Sequence, residues 1–154
     1  MIPPGHPITA AALITDSLDR LLIVRPKGDG KPWQLPGGIV EQGESPLVAV
    51  RREVREELGL DLDIQEQDFF SVEWLEATRP GRRDRLAFLF VGPRLTHEDS
   101  TCITLQRDEL DEWRWAAHAE MKTLMHPKLA DRIGGEFWMF STPVYRETRN
   151  EGTL

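Results

Sequence analysis

The stretch GGIVEQGESPLVAVRREVREELGL, residues 37–60, starts on a glycine pair and runs into a helix whose limits can be read from local chemistry. Ser45 is a good N-cap, Pro46 suits the first helical position, and Gly59 is the expected left-handed cap just after Leu58. The spacing therefore predicts a helix over 46–58. Leu47, Val50, Val54 and Leu58 recur at intervals of three and four and form one apolar stripe that can face a sheet. Glu53, Glu56 and Glu57 fall on another side, centred about 110° around the helix from that stripe, so they are expected along its exposed edge. Two readings of them stay open on charge alone. Arg51, Arg52 and Arg55 can pair with neighbouring carboxylates on a solvated face, each pair contributing a few tenths of a kcal/mol. Alternatively, carboxylates at spacings of one, three and four repel one another until a cation offsets them, and a hard divalent ion with oxygen ligands does so.

Working outward, ITAAALITD and RLLIVRP are apolar, β-leaning runs joined by the turn-like SLD, which predicts a hairpin over about residues 8 to 25. PKGDGKPWQLPGG, residues 26–38, concentrates Gly and Pro and reads as a long loop with one short extended piece around Trp33–Leu35. A loop of that length inside a compact domain is usually functional. FFSVEWLEAT and RLAFLFVGPRL, separated by RPGRRD, predict a second hairpin over about residues 69 to 92 with a basic tip. THEDSTCITLQRDEL reads as polar and irregular. EWRWAA alternates as a half-buried strand does, HAEMKTLM reads as a short helix, and HPKLADRIGGEFWMF as a terminal helix with Pro127 in its first turn and a weak middle at Gly134-Gly135. Strands on both sides of one central helix, with further helices behind them, give a mixed sheet covered on two faces. One domain spanning 1–154 is expected, with 1–7 and 147–154 as flexible ends.

The composition limits the function classes. A chain 40% hydrophobic, with five tryptophans and six phenylalanines, packs a core and does not remain a disordered tail. A net charge of −7 argues against a duplex nucleic-acid partner, because phosphate backbones attract basic surfaces. No apolar run approaches the length of a membrane span, and MIPPGHPITA lacks the regions of a signal peptide, so a cytoplasmic protein is expected. The lone Cys102 forms no internal disulfide and is read as a buried or strand-packed thiol.

Residues 38–60 resemble the signature of the Nudix hydrolases, a 23-residue box. Its pattern is G, five residues, E, seven residues, R-E, an aliphatic residue, any residue, E-E, any residue, G and an aliphatic residue. Gly38, Glu44, Arg52, Glu53, Val54, Glu56, Glu57, Gly59 and Leu60 fill all nine constrained positions. The preceding WQLPGG and the later tryptophan strand look like the family too. The resemblance implies an α+β fold of α/β/α sandwich type, with a mixed sheet between helices and the box forming loop, helix and loop. It implies hydrolysis of a nucleoside diphosphate linked to another group, with Mg²⁺ or Mn²⁺. By position in the box, Glu53, Glu56 and Glu57 would be metal ligands, with the backbone carbonyl of Gly37 added. Arg52 would orient the glutamates, while Glu44, Gly38 and Gly59 would brace the loops. Such metals neutralise phosphate oxygens, lower the pKa of bound water and hold attacking and leaving oxygens in line.

For the general base, Glu53 is the first choice within the box. Among later carboxylates Glu109 best resembles the glutamate that often precedes the family's tryptophan strand, with Glu98 and Glu112 as competitors. Arg25, at a strand end, either reaches a phosphate or is a surface residue. Trp33, next to the glycine-rich loop, is read as a ring that stacks on a base, whereas Trp74, Trp113, Trp115 and Trp138 are assigned to the core or a dimer interface. The tip arginines Arg79, Arg82, Arg83 and Arg85 either attract an anionic substrate or keep a hairpin edge soluble. His6, His97, His118 and His126 show no metal-ligand spacing. The family's usual signals for ADP-ribose and dinucleoside polyphosphates, a proline or tyrosine beyond the box, are not evident around Trp74–Thr78. The expectation is therefore a nucleoside triphosphate or modified nucleotide cleaved to monophosphate and diphosphate, with ADP-ribose or a nucleotide sugar as runner-up. A catalytically silent nucleotide-binding module would show a degraded box, and here every charged position survives. The expected partners are a small nucleotide-type molecule and, through the tryptophans, a second copy of the chain.

Overall fold

The computed structural model describes residues 5–133 and 143–150. The helix at the centre of the box, α1, is Pro46–Leu58, the limits predicted from its caps. The Ser45 hydroxyl accepts from the Val48 N–H, and Gly59 sits at φ 68°, a left-handed conformation that glycine adopts without a Cβ penalty. The apolar stripe of α1 lies on a mixed sheet of five strands. These are β1 (Ile8–Leu13), β3 (Gly37–Ile39), β4 (Phe69–Leu75), β5 (Arg85–Val91) and β7 (Val144–Thr148), in the order β3-β1-β5-β4-β7. β1 runs antiparallel to β3 and parallel to β5, while β4 runs antiparallel to β5 and parallel to β7.

A second, two-stranded sheet pairs β2 (Leu21–Pro26) with β6 (Leu110–Ala116). The remaining helices are short: α2 (His97–Thr101), α3 (Met121–Leu124) and α4 (Pro127–Ile133). One buried cluster joins Val50, Val54 and Leu58 to Ala10, Ala12 and Phe90 on one face of the large sheet. The small side chains of β1 let the helix approach closely. The other cluster joins Phe70 and Leu89 to Met121, Met125 and Ile133. The two covered faces of a mixed sheet are therefore present as predicted.

Four expectations change. The strands of the first hairpin exist but separate into different sheets, joined only near their ends by a Thr15–Leu21 bridge and by Leu22 N–H donating to Ile14 O at 2.8 Å. The turn between them is built around Asp16, whose carboxylate accepts from the Leu18 and Arg20 N–H groups at 3.0 and 2.9 Å and pairs with the Arg20 guanidinium. The segment read as irregular holds α2, started by a reciprocal cap in which Thr96 Oγ1 accepts from Asp99 N–H and Asp99 Oδ2 accepts from Thr96 N–H. Cys102 is exposed, just past the end of α2. Glu147 and Thr148, expected in a loose end, belong to β7, and Asn150 is anchored by its N–H to Glu76 and its side-chain amide to Ala77 O. The second hairpin, the tryptophan strand and the start of the terminal helix at Pro127 are found as predicted. Gly134, Gly135 and Trp138 lie outside the described residues.

Candidate active site

Arg52 is the hub of the box. Its Nε and Nη2 donate to the two oxygens of Glu44 at 3.1 and 2.7 Å, a bidentate fork. Nη1 donates to Glu53 Oε1 at 2.9 Å and Glu56 Oε2 at 3.2 Å, and Nη2 also reaches Ile39 O at 3.0 Å. One guanidinium thus ties the loop after β3 to two acidic residues of α1. Glu44 is braced from its own loop as well, accepting from the Glu41 N–H at 2.9 Å. The Arg52 hydrogen bonds, with that N–H, hold the Glu44 carboxyl below the usual range and raise Arg52 further above its own. The neighbouring arginines act elsewhere: Arg51 donates to Ile64 O, and Arg55 pairs with Asp61.

The three glutamates are not equivalent, and the expected exposed edge is only partly one. Glu56 keeps 48% of its side-chain surface in solvent, whereas Glu53 keeps 13% and Glu57 as a residue 6%. Burial arises because Glu53 lies against Gly38, where a Cβ would stand 2.4 Å from Oε1. Glu57 Oε2 accepts from the Gly37 N–H at 2.9 Å. Burial pushes the Glu57 carboxyl up to about 8, with the charges of Glu53, Glu109 and Glu56 adding to it and the Gly37 N–H opposing. Burial raises Glu53 too, against the lowering effect of Arg52. Glu44, Glu53, Glu56 and Glu57 outnumber the one Arg52 guanidinium they surround, an imbalance that a cation relieves.

The donor set suits a hard divalent cation, because Glu53 against Gly38 and Glu57 on the Gly37 N–H both offer carboxylate oxygens, with Glu56 beside them on Arg52. Among the described residues no three such groups converge ready-made on one point. Glu53 and Glu56 each have one oxygen on Arg52, so an ion would use the oxygens that Arg52 and the Gly37 N–H leave over.

A second loop closes on the same place. Thr104 and Gln106 donate their N–H groups to Leu58 O and Glu57 O, both at 2.9 Å, strapping residues 104–109 to the end of α1. Lys27 holds the other side, its N–H on Glu109 O and its Nζ on Arg107 O, both at 2.8 Å. Glu109 is thereby near enough for its charge to raise both Glu53 and Glu57. Of its competitors, Glu112 pairs with Arg25 at 3.3 Å, and Glu98 belongs to α2. Lys27 and Gln106 were not singled out from the sequence, because backbone bonds between distant loops leave no local pattern.

Trp33 is 9% exposed and belongs to the second core cluster, so it packs inward and is not an open platform for a base. The Arg25 and Arg114 guanidinium groups lie 5.4 and 6.0 Å from its ring centre. Arg25 remains half-exposed beside it. Trp113 and Trp115 meet edge-to-face at 6.0 Å and pack against the first cluster.

With this geometry in view, a family model described as NUDIX domain matches residues 5–134. A MutT-like protein of Streptomyces ambofaciens is 39% identical over 64 residues, 42% of this chain and 41% of that protein. An RNA pyrophosphohydrolase of Rickettsia bellii is 30% identical over 120 residues, 68% of this chain and 72% of that protein. The chain thus spans less than half the length of the first of these relatives and nearly three quarters of the second. Among solved structures, a MutT protein from Methanosarcina mazei Go1 superposes with a TM-score of 0.68 at 23% identity, covering 85% of this chain and 92% of that one. A C. elegans Ap4A hydrolase binary complex superposes at 0.65 and 19% identity, covering 81% and 90%. These two likenesses bear on the fold.

Proposed function

For a chain that belongs to the Nudix hydrolase family, we propose divalent-metal-dependent hydrolysis of a phosphoanhydride bond in a nucleoside 5′-polyphosphate, giving a monophosphate and diphosphate. The observation that carries the reading is the Arg52 hub, which gathers Glu44, Glu53 and Glu56 beside a Glu57 clamped to the Gly37 N–H. Glu53, Glu56 and Glu57 would hold Mg²⁺ or Mn²⁺, with the Gly37 carbonyl as a further oxygen. The bound ion supplies charge neutralisation at the phosphate oxygens and a lowered pKa for attacking water.

The chain's own residues do the rest. Arg52 fixes the carboxylates in place before substrate arrives, so little reorganisation accompanies the reaction. Glu53, raised by burial, is the first choice to take the proton of the attacking water, and Glu109 on its strapped loop is the alternative acceptor. Arg25 at the end of β2 offers a guanidinium to a phosphate, partly balanced by Glu112. The names of the relatives favour a second form of the same substrate, the triphosphate at the 5′ end of an RNA.

The test is turnover of nucleoside triphosphates, nucleotide sugars and 5′-triphosphorylated RNA with Mg²⁺ or Mn²⁺, for wild type, Glu56→Gln and Glu57→Gln. Metal-dependent release of diphosphate, lost in the variants, supports the reading. Nucleotide binding without cleavage by wild type overturns it.

A further inference from the structure

β2 and β6 keep one antiparallel register from Leu21 opposite Ala116 to Arg25 opposite Glu112, then slip by one residue, so that Pro26 stands opposite Leu110. Pro26 has no N–H with which to extend the ladder, and a slip of one residue moves the side chains that follow to the other face. Asp111 is the extra residue, and its carbonyl accepts from Arg107 Nη1 at 3.1 Å. The slip sets Lys27 against Glu109, where an unbroken register would set it against Leu110. Bulges of this kind re-aim side chains beside active sites.

Lys27 gives two donors to the turn that carries Glu109. Its N–H donates to Glu109 O and its Nζ to Arg107 O, both at 2.8 Å. Gly28, at φ 111°, then turns the chain away in a conformation that a side chain rarely adopts. The turn is closed by the Glu109 and Leu110 N–H groups, which donate to Gln106 O at 3.3 and 3.0 Å. On its far side Gln106 N–H donates to Glu57 O and Thr104 N–H to Leu58 O, both at 2.9 Å. The main chain of residues 106–109 is therefore gripped between the helix that carries the box glutamates and one lysine.

That grip matters because Glu109 is exposed. No packed neighbours fix an exposed side chain, so its place depends on the main chain beneath it. Its charge nevertheless acts on both Glu53 and Glu57. A hydrogen bond from a charged donor is stronger than a neutral one, so the ammonium on Arg107 O is the firmer of the two Lys27 contacts.

We propose that Lys27 is the positioning residue for Glu109, holding its turn against the end of α1 without itself touching substrate. The proposal rests on a part for Glu109 in the phosphoanhydride hydrolysis and adds the residue that sets where it stands.

The test compares K27M, which keeps the stem of the side chain and loses the donor, with K27R, which keeps a charged donor. Turnover of a nucleoside triphosphate with Mg²⁺ is measured for wild type, K27M, K27R, E109Q and K27M/E109Q. K27M is expected to lower kcat about tenfold with KM within about twofold, because misplacing a reacting group costs rate more than binding. K27R recovers kcat to within about threefold of wild type, since its donor reaches the same carbonyl. Added to E109Q, K27M costs less than about twofold, because two residues that act through one group are not additive. A second readout needs no turnover. In the metal-free protein K27M should speed amide exchange of Glu109 and Leu110 by about tenfold or more, with the urea midpoint unchanged.

Wild-type kcat in K27M, a raised KM in place of a lowered kcat, or a loss of about tenfold when K27M is added to E109Q overturns the proposal and leaves the reading of the box standing. Wild-type kcat in E109Q removes Glu109 from the chemistry and the proposal with it. If wild type cleaves no nucleoside polyphosphate, the reading of the box fails and exchange alone decides. Faster exchange in K27M then upholds the hold of Lys27 on the turn, and unchanged exchange overturns it.

Discussion

Adjacent glycines at the start of the box make opposite demands, and alanine at each separates them. At Gly38 a Cβ would stand 2.4 Å from Glu53 Oε1, 2.6 Å from its Cδ and 3.0 Å from Oε2, all at the end of a side chain that can swing away. To restore an ordinary contact of about 3.5 Å the carboxylate must retreat by about 1 Å. That retreat moves it off Arg52 Nη1 and out of the place where it would hold a metal. A misplacement of that size costs about 100-fold in rate, or about 2.7 kcal/mol of transition-state stabilisation. The fold should tolerate the change, since only a side chain yields. At Gly37 the same atom would meet Ala10 O at 2.3 Å and Ala11 Cα at 2.6 Å, the backbone of the neighbouring strand. There β1 and β3 must separate, at a cost of about 1–3 kcal/mol or more in stability. The assay is steady-state turnover of a nucleoside triphosphate with Mg²⁺, beside urea unfolding of wild type, Gly38→Ala and Gly37→Ala. Gly38→Ala is expected to lose kcat while keeping its midpoint, and Gly37→Ala to lose its midpoint. Wild-type kcat in Gly38→Ala would refute the assignment of Glu53 to the chemistry, and equal destabilisation by both would make the pair purely structural.

Arg52→Lys keeps the charge but loses the fork, so metal affinity should fall about 10–100-fold by Mn²⁺ titration, with little change in thermal midpoint. Glu109→Gln should lower kcat more than it raises KM, whereas Glu112→Gln, which frees Arg25, should act mainly on KM; the reverse pattern would exchange their roles. Asp16→Asn should destabilise the fold by about 1–3 kcal/mol, because the turn between β1 and β2 loses its charged acceptor. Although burial pushes the Asp16 carboxyl up, the N–H and guanidinium of Arg20 and the N–H of Leu18 prevail and hold it below its ordinary value. Its contribution is therefore fully present above the unfolded-state pKa of about 3.9 and lost as pH falls through the lower folded value. Urea midpoints of wild type and Asp16→Asn should converge in acid and separate toward neutral pH.

Local chemistry was legible where structure is locally determined. Ser45, Pro46 and Gly59 bound α1 because caps and left-handed glycines act within one turn, and Val50, Val54 and Leu58 marked the buried face. The acidic cluster was legible as a group, but its burial was not. Glu57 is enclosed by β3 and by the loop at Gln106, both distant in sequence, and helix angle alone left it at an exposed edge. The same limit explains the first hairpin: SLD turns the chain, yet whether the strands it joins pair depends on β5 and β6, which claim β1 and β2 separately. α2 carried a visible Thr96–Asp99 cap that its polar surroundings masked. Trp33 beside a glycine-rich loop suggested an open ring, and only the packing of α3 and Met125 against it shows a core residue.

The central claim is that the carboxylates gathered by Arg52 hold the catalytic metal. Crystals soaked with Mn²⁺ and a non-hydrolysable nucleoside triphosphate test it through anomalous scattering. The account predicts Mn²⁺ within ligating distance of Glu53, Glu56 and Glu57, with the triphosphate on the same ion. An ion bound elsewhere, with Arg52 and the three glutamates undisturbed, would contradict it.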